Sequence, residues 1–323
     1  MVHHVTQRVN YVSLRDKRWK TVEMTNMETM APWLPDGVRR WLILVLAYLV
    51  AASVTLYLGR FVDAPWDLAL LLALNPDHYI PVVDEFMIFL TDFSVYSFAF
   101  LYIFWVVTYY ICRGKVSRKR GANTVFRVLA VVLGLWHLSG AFRGFAGHVY
   151  EYNLIFIPLA LVFFAGFWFA GMSFVTLDDE TLAKIATVFW LTLVATIFTN
   201  LLGTTLIKEY IGRFRPLNDA YSPWNEGLRA FSDETVRGGF SYISGHSSSL
   251  FALLTPLFWA VNNRWVKGGL MVWATLHAFT RVYVAVHFPY CCIIGSLYGF
   301  IIGTCVFHCL WKYEDGIGCA TRQ

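Results

Sequence analysis

The stretch IATVFWLTLVATIFTNLLGTTLI, residues 185–207, carries no charge and runs straight into KEYIGRFRP, residues 208–216. A helix rises about 1.5 Å per residue, so about 20 apolar residues are needed to cross a hydrocarbon core of ~30 Å. This run of 23 satisfies that requirement. Its apolar residues show neither a 3.6-residue nor a two-residue period, which is the pattern of a segment surrounded by nonpolar matter on every side. The fold is therefore decided by length and charge placement, and the same test applies to the rest of the chain.

Working outward, residues 41–59, 93–112, 152–177 and 288–311 are also free of charge and long enough to cross. Three further stretches are weaker. Residues 128–142 are short and sit between Arg127 and Arg143; 247–261 are short and open with serines; 268–286 contain Arg281. Residues 65–74 are too short to span and read as a re-entrant or interfacial turn. The result is an all-α polytopic membrane bundle of about eight spans. Basic residues in short loops favour the cytoplasmic side. With eight spans, the tail before Trp41, the group Arg113–Lys115–Arg118–Lys119–Arg120, and the pair Arg264 and Lys267 all fall on one side. Both termini are then expected in the cytoplasm, with residues 208–246 and the surroundings of His287 facing a periplasm or lumen. The expected organisation is a basic tail (1–40), N-terminal membrane helices with the re-entrant segment (41–183), a core of four spans with the outward loop 208–246 (184–312), and a second tail (313–323).

Composition agrees with this map and excludes several classes. Of 323 residues, 57% are hydrophobic and only 15% charged, whereas soluble domains carry about a quarter charged residues. The net charge of +5 is dispersed over short loops, with no basic stripe that would bind nucleic acid. All of the six cysteines except Cys319 lie in or beside apolar runs, where a thiol behaves as a small hydrophobe rather than as part of a disulfide framework. Cys305, His308 and Cys309 share one apolar run and are read as packing, not as a metal site. The basic first forty residues lack the pattern of a removable signal, and the chain ends without a lipidation box.

Three segments carry chemistry. In the first, Lys208 and Arg215 are seven residues apart beyond an apolar helix, with Arg213 nearby. Cations crowded there repel one another unless an anion joins them, and a lysine point charge with an arginine fork suits phosphate. In the second, GGFSYISGH (238–246) opens a helix with glycines, Ser244, Gly245 and His246. Free amides at a helix start favour an oxyanion, and imidazole moves protons near neutral pH; a serine N-cap would explain the same residues. In the third, TRVYVAVHFP (280–289), Arg281 is a charge inside an apolar run, which is costly without a purpose. His287 lies six residues on, off the Arg281 face of a straight helix, so convergence requires a bend, which Pro289 favours. His137 and His277 read as packed histidines, and Arg143, His148 and Glu151 as an outer loop.

These segments resemble the three-part signature of the type 2 phosphatidic acid phosphatase superfamily: Lys-(six residues)-Arg-Pro, Pro-Ser-Gly-His, and Ser-Arg-(five residues)-His-(three residues)-Asp. The first part is complete in Lys208, Arg215 and Pro216. The second has Ser244, Gly245 and His246 after Ile243 in place of proline. The third has Arg281 and His287, with Thr280 for serine and Cys291 for aspartate. The third segment also looks like that of the glucose-6-phosphatases, which likewise lack this aspartate.

The resemblance implies a multi-pass membrane phosphatase of a bacterial inner membrane or endoplasmic reticulum. It implies His287 as the nucleophile forming a phosphohistidine and His246 as the proton carrier. Lys208, Arg215 and Arg281 would hold the phosphoryl oxygens, with Ser244 and the Gly245 amide helping. Neither metal nor cofactor is then expected. A lipid phosphate or polyprenyl diphosphate is the expected substrate, met in the bilayer. A phosphotransferase, a sugar-phosphate phosphatase and a non-catalytic anion binder are the alternatives. The orienting role of the lost aspartate would pass to Asp219, Glu226, Asp233, Glu234 or a backbone carbonyl. The sequence sets no oligomeric state.

Overall fold

Ten helices occur among the described residues of the computed structural model, which are 36–80, 82–143, 156–231, 239–313 and 316–317, with side chains described except at 92–97 and 140–143. They are α1 (Asp36–Phe61), α2 (Asp67–Leu74), α3 (Val83–Ile88), α4 (Ser94–Cys112), α5 (Val116–Arg143), α6 (Phe156–Thr176), α7 (Asp179–Ile211), α8 (Gly245–Ala260), α9 (Arg264–Tyr283) and α10 (Pro289–Leu310). No strand is present among the described residues; two isolated bridges join Phe214 to Phe240 and Val261 to Ile317. The fold is all-α. Packing divides the chain into Met1–Leu46, whose described part is the opening of α1, and Ala47–Gln323, which holds everything discussed below.

Each expected span falls on a helix, but the boundaries move. Among the described residues five helices are long and apolar enough to cross a membrane: Asp36–Phe61, Val116–Ser139, Phe156–Thr176, Asp179–Ile211 and Pro289–Leu310. The stretch 128–142 looked short only because Arg118, Lys119 and Arg120 were assigned to a loop; they are the first turns of α5. Lys119 pairs with Asp179 at the start of α7, which gives the cation a partner in place of a loop position. The expected span 93–112 falls on α4, Ser94–Cys112. The segment 65–74 forms α2, only eight residues long.

Side-chain contacts order the two ends of the second unit. Besides the Lys119–Asp179 pair, the Tyr313 hydroxyl lies 3.3 Å from that of Thr187 near the start of α7. The amide of Asn262, before α9, donates to the Ile317 carbonyl beyond α10 at 3.1 Å. The basic groups of α5 and α9 therefore share the end where α7 begins and α10 finishes. At the other end meet the C-terminus of α7, the start of α8, the end of α9 and the start of α10. The last turns of α1 reach it too: Tyr242 donates to the Thr55 carbonyl at 2.6 Å, and Tyr290 to that of Leu58 at 3.1 Å.

The closest helix contact in that region is made by α10 on α8. Gly295, Gly299 and Gly303 recur every four residues and turn one face of α10 into a groove. A β-carbon on Gly295 would stand 2.8 Å from the Ser244 carbonyl oxygen, and one on Gly303 2.7 Å from the Thr255 β-carbon. At Gly299 it would overlap the Ser248 carbonyl outright. Neither neighbour is a flexible side-chain tip, so the helices must separate to admit a methyl group. Gly299→Ala is expected to cost about 1–3 kcal/mol, seen as a lower unfolding temperature in detergent. Gly121→Ala on α5 is the control: nothing lies within 4 Å of the added carbon, so helix propensity alone predicts a neutral or slightly stabilising effect.

Candidate functional site

The residues singled out from the sequence converge at the end of the bundle where α7, α8, α9 and α10 meet. Lys208 lies in the last turn of α7, just before Gly212 ends the helix in a left-handed conformation (φ 65°). Upstream, α7 widens into a π segment, Ile197–Thr204, where Thr204 bonds back to the Thr199 carbonyl at 2.9 Å and lies 3.1 Å from the Ser248 hydroxyl on α8. The terminus carrying Lys208 is thereby tied to the start of α8. A β-carbon on Gly245 would stand 3.8 Å from the Lys208 ammonium nitrogen. Arg215 follows in the connecting segment, its guanidinium beside Gly239, which adopts φ 76°. The Nε of Arg215 is buried with no hydrogen-bond partner among the described residues.

Ser244 is the N-cap of α8. Its hydroxyl oxygen accepts from the Ser247 amide at 3.4 Å and the Ser247 hydroxyl at 3.0 Å, and its own amide donates to the Cys291 carbonyl at 3.1 Å. The N-cap interpretation of this motif is thus met, and because Ser244 acts as acceptor in both hydroxyl contacts its proton is left for another group. The first amides of α8, those of Gly245 and His246, have no carbonyl within the helix to bond, as at any helix start.

The bend required between Arg281 and His287 comes from Ala285, which adopts φ 52° after α9 ends at Tyr283. The turn brings the amides of Val286 and His287 back onto the Arg281 carbonyl at 3.1 and 3.0 Å. A left-handed residue other than glycine costs about 1–2 kcal/mol, and these two bonds with full burial of Ala285 offset it. Pro289 then starts α10. Arg281 is 7% exposed, and its Nη1 donates to Thr91 Oγ1 at 2.7 Å. Thr91 sits in the π turn Phe89–Phe93 between α3 and α4.

His287 is 1% exposed. Its Nδ1 lies 2.8 Å from the Ser241 carbonyl oxygen. A carbonyl only accepts, so Nδ1 carries the hydrogen and Nε2 keeps the lone pair. Burial, then the charges of Lys208, Arg281 and Arg215, then His246, hold the His287 pKa well below the ordinary histidine range. Protonation is disfavoured there because it would add a further positive charge away from water.

Among the described residues, the bond made by Nδ1 of His287 goes to the Ser241 backbone and not to a carboxylate. Asp219 and Glu226 lie on the 3-10 turns Asp219–Tyr221 and Trp224–Gly227, with Glu226 facing Ser222; Asp233 and Glu234 lie outside the described residues. Cys291 is buried, 3.3 Å from the Ser241 hydroxyl and 3.7 Å from Arg213 Nη1, not on the imidazole. Arg213 is turned away from the cluster, paired with Asp67 at 2.7 Å and stacked 4.1 Å over the Phe288 ring.

Several residues that shape the site were not flagged by the sequence. Ser241, Thr91 and Asp67 are three. A fourth group fixes the end of α9: Asp84 accepts from the Tyr283 hydroxyl at 2.6 Å and pairs with Arg229 at 2.8 Å, while Asn75 donates to the Tyr283 carbonyl at 2.8 Å. His277 Nδ1 donates to the Leu90 carbonyl at 2.7 Å, as a packed histidine does, and its ring centre is 6.1 Å from that of His246. His137 packs flat on Phe163. Arg143, His148 and Glu151 lie outside the residues whose side chains are described.

Comparison with known proteins gives the same region a family. The model of the PAP2 superfamily matches residues 188–315. A lipid A 4'-phosphatase of Bacteroides thetaiotaomicron is 27% identical over 119 residues, which is 36% of this chain and 51% of that protein. This chain therefore spans about half the length of that curated relative. A crystal structure described as the first transmembrane PAP2 type phosphatidylglycerolphosphate phosphatase, from Bacillus subtilis, aligns at 21% identity over 65% of this chain and 92% of the other, with a TM-score of 0.29. The PAP2 superfamily match thus covers residues 188–315, the part of the chain that holds Lys208, Arg215, Ser244, Gly245, His246, Arg281 and His287.

Proposed function

We propose that this protein is an integral membrane phosphatase that hydrolyses a lipid phosphate through a phosphohistidine, without a metal ion. One observation carries the reading: His287 presents an unprotonated Nε2, its Nδ1–H held by the Ser241 carbonyl, within reach of the charges of Lys208, Arg215 and Arg281. Phosphoryl transfer asks mainly for an aligned nucleophile and for positive charge over the equatorial oxygens. In the first step Nε2 of His287 attacks phosphorus and the bond to the leaving oxygen breaks, that oxygen taking a proton from His246. In the second, His246 removes a proton from water, the water oxygen attacks phosphorus and the P–N bond breaks. Lys208, Arg215 and Arg281 hold the three equatorial oxygens. Ser244 and the Gly245 amide add donors at the helix start. Residues 184–312 form the catalytic core, preceded by the membrane helices of 41–183.

Two features favour a lipid. The curated relative is a phosphatase named for lipid A. An apolar cavity of about 380 Å³ between α2, α8, α9 and α10 is lined by Val282, Pro289, Cys292 and Phe279, beside the turn that carries His287. A chain lying there would leave its phosphate at the cations. The basic ends of α5 and α9 lie opposite the site, and the preference of positive charge for the cytoplasmic side supports a site on the periplasmic or lumenal face with both termini cytoplasmic. The test is phosphate release from a panel of phosphatidate, phosphatidylglycerophosphate, polyprenyl diphosphate and sugar phosphates by detergent-purified protein in EDTA. Turnover of at least one lipid phosphate that exceeds turnover of the sugar phosphates is expected. Activity that disappears in EDTA and returns with a divalent cation would overturn the metal-free mechanism.

A further inference from the structure

His287 is oriented by a backbone carbonyl, and a backbone carbonyl is only as well placed as the chain that bears it. The Ser241 amide donates to the Arg213 carbonyl at 2.6 Å, so the segment carrying the acceptor is paired with the segment carrying Arg213. The Arg213 side chain in turn meets Asp67 Oδ2 at 2.7 Å. The other oxygen of the same carboxylate, Oδ1, accepts from the Tyr290 amide at 2.7 Å, three residues beyond His287. Asp67 is 1% exposed and begins α2, more than a hundred residues before the family region. One carboxylate thus grips both strands of backbone whose contact aims the imidazole.

Phe288 completes the clamp. Its ring lies under the Arg213 guanidinium and against Tyr221 at 5.7 Å. The Phe288 amide donates to the Ser241 hydroxyl at 3.4 Å. The same pairing has an electrostatic effect. Arg213 is a further cation beside Lys208, Arg215 and Arg281, and its pairing with Asp67 neutralises it, so the phosphoryl oxygens are left to the other three.

Resting on the phosphatase reading above, we infer that Asp67, acting with Arg213, is the positioning residue that aligns His287, from a helix remote in sequence. It replaces in effect, though not in place, the carboxylate that the resemblance leads one to expect at Cys291. Asp67 touches neither substrate nor imidazole, so its removal acts on the rate of phosphoryl transfer and not on binding.

The experiment compares wild type, Asp67→Asn, Arg213→Gln, the double variant and His287→Ala on the best lipid phosphate of the panel. Asparagine keeps the acceptor for the Tyr290 amide while removing the charge. The expected result is a kcat at least tenfold lower in Asp67→Asn with KM within twofold, at an unchanged unfolding temperature. Arg213→Gln is expected to fall by a similar factor, and the double variant no further than the worse single, because the two act as one unit. If Asp67→Asn does not fold, Arg213→Gln alone decides by the same split of kcat from KM. A kcat within twofold of wild type, a loss confined to KM, or factors that multiply in the double variant would overturn the inference. Should wild type turn over and His287→Ala not, such a result strikes the positioning role alone. Wild type inert on every phosphate would remove the phosphatase reading and this inference together.

Discussion

His287→Ala is expected to lower turnover by on the order of 10⁴- to 10⁶-fold, the scale at which losing a nucleophile leaves only binding and electrostatic stabilisation. The expectation rests on position, not on histidine's general usefulness. The ring is buried, its Nδ1–H is committed to the Ser241 carbonyl, and only Nε2 is left to react. The substitution leaves the cationic side chains in place, so the variant is expected to bind inorganic phosphate within a few-fold of wild type. Rapid acid-free quenching of wild type with a labelled substrate is expected to trap a phosphoenzyme that is stable in base and labile in acid, absent from His287→Ala. Residual turnover near the wild-type rate would mean that another group attacks phosphorus.

Arg281→Ala is expected to cost on the order of 10²- to 10³-fold in kcat, the usual loss for one preorganised donor to developing charge. Arg281→Lys is expected to recover part of it, since an ammonium supplies charge without the planar fork. The same variant has a signature in pH. Arg281 is one of the charges that disfavour the imidazolium of His287. Removing it makes protonation easier, so the His287 pKa rises, and the acid limb of the pH–rate profile moves to higher pH. In wild type that limb lies below the ordinary histidine range, and neutral His287 is lost only as pH falls through its lowered pKa. An acid limb that stays put in Arg281→Ala would assign it to a different group, and a kcat loss below tenfold would take Arg281 out of the cradle.

The sequence made the charged and acid–base side chains of the cluster visible because each is expensive where it stands. Arg281 in an apolar run, cations beyond a helix of 23 apolar residues, and histidines after glycine or before proline all draw notice without any partner being known. What escaped was of another kind. The acceptor for His287 is a main-chain oxygen, which every residue has, so no residue type marks it. Asp67 was in view as the sole acid of a short apolar stretch, but its two partners lie 146 and 223 residues away. The glycines of α10 stood at a four-residue spacing and were passed over because the run was judged only by its length. The basic group after α4 was assigned to a loop since charge was taken as the end of a helix, whereas Lys119 has a carboxylate to meet on α7.

The left-handed turn at Ala285 makes a single body of the attacking ring and one of its counter-cations. Two amides, one of them that of His287, hang from the carbonyl of the residue that bears the guanidinium, so the two side chains spring from one hydrogen-bonded length of backbone. On the phosphatase reading proposed above, accommodation of substrates of different bulk would come from a second wall formed by Lys208, Arg215 and His246, which lie on segments outside this turn. Breadth of substrate choice in this molecule would be written on that wall, and fidelity of attack on the other.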